Sequence, residues 1–204
     1  MSVFEKNRDD IIKTFKKEYQ NKVGFFSKDF LHNNSKELLE IIKKFEIINN
    51  NSDYKVLEVG AGGCRNLTYI NNEFPNIQLF ANDLHKEESL KNTHPSIKNK
   101  INFYGEPTQT FITQFNENNF DLIIDSDHLV HINYTDTKSI INHINNIIKP
   151  TYFLIRSITI DNPHRSIPYH KHNFNDILSN YEEIYHTLSK NDSKWYIKLF
   201  KLKN

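Results

Sequence analysis

The sequence predicts an α/β fold in which a mostly parallel sheet carries helices on both faces and ends in an antiparallel hairpin. Three observations predict it. From residue 54 onward short, nearly continuous apolar runs alternate with helix-like stretches, the pattern of strands buried on both faces. A glycine-rich turn, "VGAGG" at 59–63, stands between the first of those runs and the helix-like stretch after it. The last two apolar runs are separated only by "KNDS" at 190–193, a turn-like connection that suggests a hairpin.

The elements follow in order. Phe4, Ile11, Ile12, Phe15 and Tyr19 lie at helical spacing and predict an amphipathic lead helix ending near Gly24. Ser35 precedes "KELLEIIKKFEII", whose Leu38, Leu39, Ile42 and Phe45 form an apolar stripe, and "NNNSD" at 49–53 stops that second helix. Strands are predicted at "YKVLEVG" (54–60), "IQLFAND" (77–83), "KINFYG" (100–105), "FDLIIDS" (120–126) and "YFLIRSITI" (152–160). Between the last two lies "DTKSIINHINNIIKP" (136–150), a helix closed by Pro150. "YEEIYHTLS" and "KWYIKLFKLK" make the hairpin. Neither internal repeats nor a linker is visible, so the expectation is one domain, with 1–50 a helical cap and 51–204 the sheet-bearing core.

Composition leaves several function classes unsupported. Lys and Arg number 26 against 25 Asp and Glu in 204 residues, so there is no net field to gather nucleic acid or an acidic membrane. The single cysteine, Cys64, has no partner for a disulfide within the chain, and "MSVFEKNRDD" lacks the apolar core of a secretory signal. No run is long enough to span a bilayer. A cytoplasmic protein with a small-molecule partner, and neither a nucleic-acid nor a membrane partner, is expected; its oligomeric state is left open.

In an open parallel sheet, ligands bind beyond the carboxyl ends of the strands, and the first strand-to-helix turn is the usual cradle. Gly60 and Gly62 sit in that turn, where glycine allows a sharp bend and a close approach to a ligand. Asp83 ends the second strand about twenty residues on, where a carboxylate takes both ribose hydroxyls of an adenosine. A dinucleotide site wants a third glycine where Arg65 stands, which disfavours NAD. The alternative pattern is E-x-G-x-G, present as Glu58, Gly60 and Gly62.

On these residues the chain resembles the class I S-adenosylmethionine-dependent methyltransferases, with "EVGAGGC" similar to their E/D-x-G-x-G-x-G signature and Cys64 replacing the third glycine. The resemblance implies a Rossmann-like, seven-stranded sheet with a terminal antiparallel hairpin, and S-adenosylmethionine as cofactor. It also implies that Gly60, Ala61 and Gly62 pass the methionine moiety, that Glu58 helps hold its amino group, that Asp83 binds the ribose and that Leu84 lies against the adenine. Glu106 is then a candidate for the adenine edge, and Asn66, Asp125 and Ser126 complete the cofactor set.

A hydroxyl acceptor must also lose its proton, which asks for a base near the end of the fourth strand. "DLIIDSDHLVHI" crowds Asp125, Ser126, Asp127, His128 and His131 there. Histidine titrates near neutrality, so His131, then His128, with Asp127 beside them, are the catalytic candidates. His131 between Val130 and Ile132 would equally suit a packed position under a helix, and Asp127 a helix cap. Neither "DPPY" nor "NPPY" occurs, which argues against methylation of nucleic-acid amino groups.

"VLEVGAGGCRNL", "FDLIIDSDHLVHIN", "IPYHKHNF" and "KWYIKLFKL" further resemble the small methyltransferases associated with pseudaminic acid and other surface-sugar clusters. That likeness implies an oxygen, before a nitrogen, of a small polar metabolite such as a sugar or sugar acid as acceptor, with His131, Tyr169 and His172 at family positions. Other chemistry on the same cofactor, or non-catalytic binding of it, are the alternatives. The histidine-rich stretch "DNPHRSIPYHKHNF" brings Asp161, His164, Tyr169, His170 and His172 close in sequence. Its spacing matches no standard metal site, so no metal is expected, and it reads as an acceptor loop before it reads as solvated surface. Arg156, inside the fifth strand, either meets a carboxylate on the acceptor or pairs with a core acid.

Overall fold

Period-two alternation decides which side of the sheet each strand residue serves. Val56, Ile124, Leu154 and Ile197 share one core with Leu38, Ile42, Leu67 and Ile70, whereas Leu57, Ile123, Phe153 and Phe200 share the other with Ile140, Ile141 and Phe174. A computed structural model of the chain describes residues 13, 17, 28–48, 53–117, 119–160 and 169–203. The predicted lead helix lies outside the described residues except for Lys13 and Lys17, both helical.

In chain order the elements are α1 (Lys28–Lys44), β1 (Lys55–Val59), α2 (Arg65–Glu73), β2 (Gln78–Asn82), α3 (Lys86–Asn92), α4 (Pro95–Lys98), β3 (Ile101–Tyr104), α5 (Thr108–Phe111), β4 (Leu122–Ser126), α6 (Tyr134–His143), β5 (Tyr152–Ile158), α7 (Phe174–Ile177), β6 (Tyr181–Leu188) and β7 (Trp195–Leu202). The seven strands form one sheet in the order β3-β2-β1-β4-β5-β7-β6. β1 to β5 run parallel, and β7 pairs antiparallel with both β5 and β6. All seven strands lie where the apolar runs predict them.

One boundary differs. α1 begins at Lys28, not after Ser35, because the polar "NNS" of 33–35 is used for long-range bonds rather than as a cap. Ser35 Oγ donates to Asn66 Oδ1 at 2.7 Å, and Asn34 Oδ1 accepts from Asn191 Nδ2 at 3.1 Å. One turn further, buried Glu37 accepts from Ser189 Oγ at 2.7 Å and from the Lys190 amide at 2.8 Å. These bonds seat α1 on the β6–β7 turn. Glu37→Ala leaves two donors inside a closed interface and is expected to destabilise the fold by about 2 kcal/mol in urea unfolding. Glu40→Ala is expected to leave the midpoint unchanged, since its partner, the Lys190 ammonium, stands in solvent. Among the described residues no helix is long and apolar enough to cross a membrane.

Candidate functional site

The parallel register brings several predicted residues to one edge. Val59 stands opposite Asn82 and Asp125, and Ser126 opposite Arg156, so the glycine turn, Asp83 and the 125–131 segment line the carboxyl ends of β1, β2 and β4.

The turn is held from below. Ala61 donates its amide to Asn82 O at 2.9 Å, and the two Asp83 oxygens accept from the Gly62 amide at 3.0 Å and the His85 amide at 2.8 Å. Gly60, Gly62 and Cys64 have φ of 62°, 50° and 55°. Cys64, at the position where the signature has its third glycine, therefore sits in the left-handed region, which explains why glycine suits that place. The need for glycine at position 60 has a different origin from the predicted approach of a ligand: a Cβ there would fall 2.2 Å from His128 Cγ and 2.5 Å from its Nδ1. The imidazole occupies the space that a side chain would take.

His128 is fixed by a network with no local sequence signal. Thr108 Oγ1 donates to Asn82 Oδ1 at 2.8 Å, while Asn82 Nδ2 donates to Glu106 O at 2.7 Å. The threonine proton being committed, its oxygen accepts from His128 Nε2 at 2.9 Å, which selects the tautomer protonated at Nε2. Burial pushes the imidazole down to about 4, with Asp83 opposing. His128 is thus a neutral wedge between the β4 turn and the glycine turn.

Two buried carboxyls flank that wedge. Glu58, 3% exposed, receives Asn66 Nδ2 at 2.5 Å on Oε1, and Asn66 is itself held by Ser35. Asp125, 0% exposed, accepts the Leu129 amide at 3.0 Å and the His128 amide at 3.3 Å on Oδ1. Asp125 thereby braces the start of the 3₁₀ turn Leu129–His131. Glu58 Oε2 and Asp125 Oδ2 are buried and have no hydrogen-bond partner among the described residues. Burial pushes both carboxyls up to about 8; the Asn66 hydrogen bond opposes this at Glu58, and the Leu129 amide opposes it at Asp125.

Asp127 takes φ 68° and pairs through Oδ2 with Arg156 Nη1. Of the two readings of Arg156, the pairing with an acid is therefore realised. Its guanidinium carbon also stands 4.5 Å from the Trp195 ring centroid. Ser126 is half-buried beside it. His131, 9% exposed, lies against the Tyr169 ring at 5.0 Å, and Tyr169 meets Trp195 edge-on at 5.6 Å.

The histidine-rich segment is tied to the 3₁₀ turn. His172 is buried and donates from Nε2 to Leu129 O at 2.9 Å, which fastens the loop beneath that turn. His170 binds through its backbone, its amide donating to Val130 O at 2.7 Å. The Glu106 carboxylate accepts from the Gln114 amide. Leu84 remains 37% exposed. Asp161 and His164 lie outside the described residues, and among those described no group of three or more His, Cys, Asp or Glu is arranged to hold a metal ion.

No protein-family model matches the chain, and no curated protein matches it at a significant level. Solved structures do. The chain superposes on the 1,6-didemethyltoxoflavin-N1-methyltransferase of Burkholderia thailandensis, crystallised with 1,6-didemethyltoxoflavin and S-adenosylhomocysteine, with TM-score 0.76 and 14% identity over 100% of this chain and 92% of that one. The magnesium protoporphyrin IX methyltransferase of Synechocystis PCC 6803, with S-adenosylhomocysteine bound, gives TM-score 0.71 and 13% identity over 96% and 97%. An O-methyltransferase family protein from Burkholderia thailandensis gives 0.61 and 11% over 98% and 74%. The chain has the Rossmann-like fold of these methyltransferases.

Proposed function

We propose that the chain is an S-adenosylmethionine-dependent methyltransferase that methylates an oxygen of a small polar metabolite of the sugar or sugar-acid class. The observation that carries this reading is the pair of buried carboxyls, Glu58 and Asp125, each with one oxygen lacking a partner among the described residues, beside a glycine turn and Asp83. Acids withdrawn from water without a cation ask for one, and the cofactor fits that demand. When bound, it supplies an electrophilic methyl on a sulfonium and carries an ammonium and a ribose.

Glu58 and Asp125 would face the cationic end, Asp83 would take the ribose hydroxyls, and Leu84 would cover the adenine. His131 would hold the acceptor's proton, with Tyr169 as its wall; alignment of the acceptor would then supply most of the rate. The neighbours in fold support methyl transfer, and the two whose names give a substrate differ in it. The sugar class rests on the resemblance of "DHLVHIN" and "IPYHKHNF".

The test is calorimetric titration with S-adenosylmethionine and S-adenosylhomocysteine. Asp83→Ala is expected to raise Kd about ten- to a hundredfold, the loss of hydrogen bonds to a charge worth about 1.5–3 kcal/mol. Binding of neither ligand to the folded wild type would overturn the reading. Turnover that yields methylthioadenosine without S-adenosylhomocysteine would overturn methyl transfer alone.

A further inference from the structure

The guanidinium of Arg156 has two distinct edges. Nη1 is taken by Asp127. The other edge, formed by Nε and Nη2, is buried and has no hydrogen-bond partner among the described residues, although the residue is 0% exposed. Those two donors point the same way and match the two oxygens of a planar anion. A buried guanidinium with that edge unmet is costly for the fold by itself.

The surroundings favour a ligand. Trp195 lies under the guanidinium carbon at 4.5 Å and holds the fork in one plane. Tyr169 extends that aromatic wall from Trp195 to His131. Asp127, with its side chain 18% exposed, carries its own end of the pair toward the surface at the β4 end of the sheet, next to the segment that carries His131, while Arg156 stays buried behind it. One Asp127 oxygen neutralises the near side of the cation, which leaves the far edge as a directional receptor.

From these placements we propose that the Nε/Nη2 edge of Arg156 binds a carboxylate of the methyl acceptor, so that the substrate is an acid-bearing metabolite. The proposal rests on the methyltransferase reading for the word acceptor, though the anion site itself does not depend on it. Phosphate presents the same pair of oxygens, so the test separates the two.

Trp195 is the single tryptophan of the chain, and its emission therefore reports on this site. The wild-type chain is titrated with D-glucuronate, its methyl ester, D-glucose and glucose 6-phosphate, with and without S-adenosylhomocysteine. Expected is a saturable change in emission with glucuronate, at least about tenfold tighter than with the ester or with glucose, as suits a charge-assisted bidentate pair, and weaker binding of the phosphate. Arg156→Lys, which keeps the charge and loses the edge, is expected to abolish the discrimination. Equal affinity for glucuronate and its ester, or no response to any of the four, would overturn the proposal, and tighter binding of the phosphate would replace the carboxylate by a phosphoryl group. The wild-type comparison decides the matter even where the variant fails to fold. Glucuronate binding without calorimetric cofactor binding would sink the methyltransferase reading and leave the anion site standing; the reverse pattern would do the opposite.

Discussion

Gly60→Ala is expected to destabilise the protein by about 2–5 kcal/mol and to abolish cofactor binding in whatever fraction stays folded. The magnitude has two parts. A non-glycine residue at the φ of 62° found here costs about 1–2 kcal/mol. The added methyl would lie 2.2 to 2.5 Å from three atoms of His128, an overpacking of about 1–3 kcal/mol. His128 is held on its far side by Thr108, itself tied to Asn82 at the end of β2, so the push would be transmitted across the strand ends. The partition is testable by a double-mutant cycle with His128→Ala, read by urea unfolding. A favourable coupling of about 1–3 kcal/mol is expected, because the second substitution removes the clash and leaves only the backbone strain. If the two changes add to within about 0.5 kcal/mol, the wedge is not what demands glycine.

The same contact marks where the sequence stops being readable. Every strand was legible, since β1, β4 and β5 are apolar on both sides and β7 repeats the pattern after a short turn; burial is a local property and leaves a local trace. The edge at which the site lies was legible for the same reason, through Gly60, Gly62 and Asp83. What was not legible is who touches whom. Thr108 stands 26 residues from Asn82 and 20 from His128, and nothing in "EPTQT" announces a buried hydroxyl. Ser35 looked like a helix start because serine is a good cap, whereas its hydroxyl is spent on Asn66, 31 residues away. His172, expected at the acceptor, is held by a backbone carbonyl 43 residues earlier. In each case a polar residue has two competing uses, local or long-range, and the choice is made by packing that no short window contains.

The binding of an ammonium-bearing ligand such as S-adenosylhomocysteine is expected to release close to one proton and to tighten almost tenfold per pH unit between about pH 5.5 and 6.5. The sign follows from Glu58. Its carboxyl rises from an ordinary 4.5 to about 8, mainly through burial, with Asp125 and Asp83 adding to the Asn66-opposed shift. Between those values the folded, ligand-free protein holds a proton that the unfolded chain has lost, so stability is greatest below about pH 4.5 as far as this group is concerned and falls as pH rises toward 8. Placing a cation against Oε2 reverses the preference and ionises the carboxyl, which expels the proton. At pH 6.5 an ordinary α-amino group, with its pKa near 7.7–8.0, is almost wholly charged and does not mask the effect. Calorimetry at pH 6.5 in buffers of different ionisation enthalpy reads the proton directly. Glu58→Gln keeps the Asn66 contact and holds no titrating proton; it is expected to weaken binding, flatten the pH slope and make the ligand-free protein more stable at pH 8 than the wild type. Asp125, also raised to about 8 but braced by the amides of Leu129 and His128, would account for a second proton if more than one appeared. An apparent enthalpy that does not change with buffer would mean that Glu58 is already ionised or meets no cation, and the case for the ligand's charged end at the foot of β1 would fail.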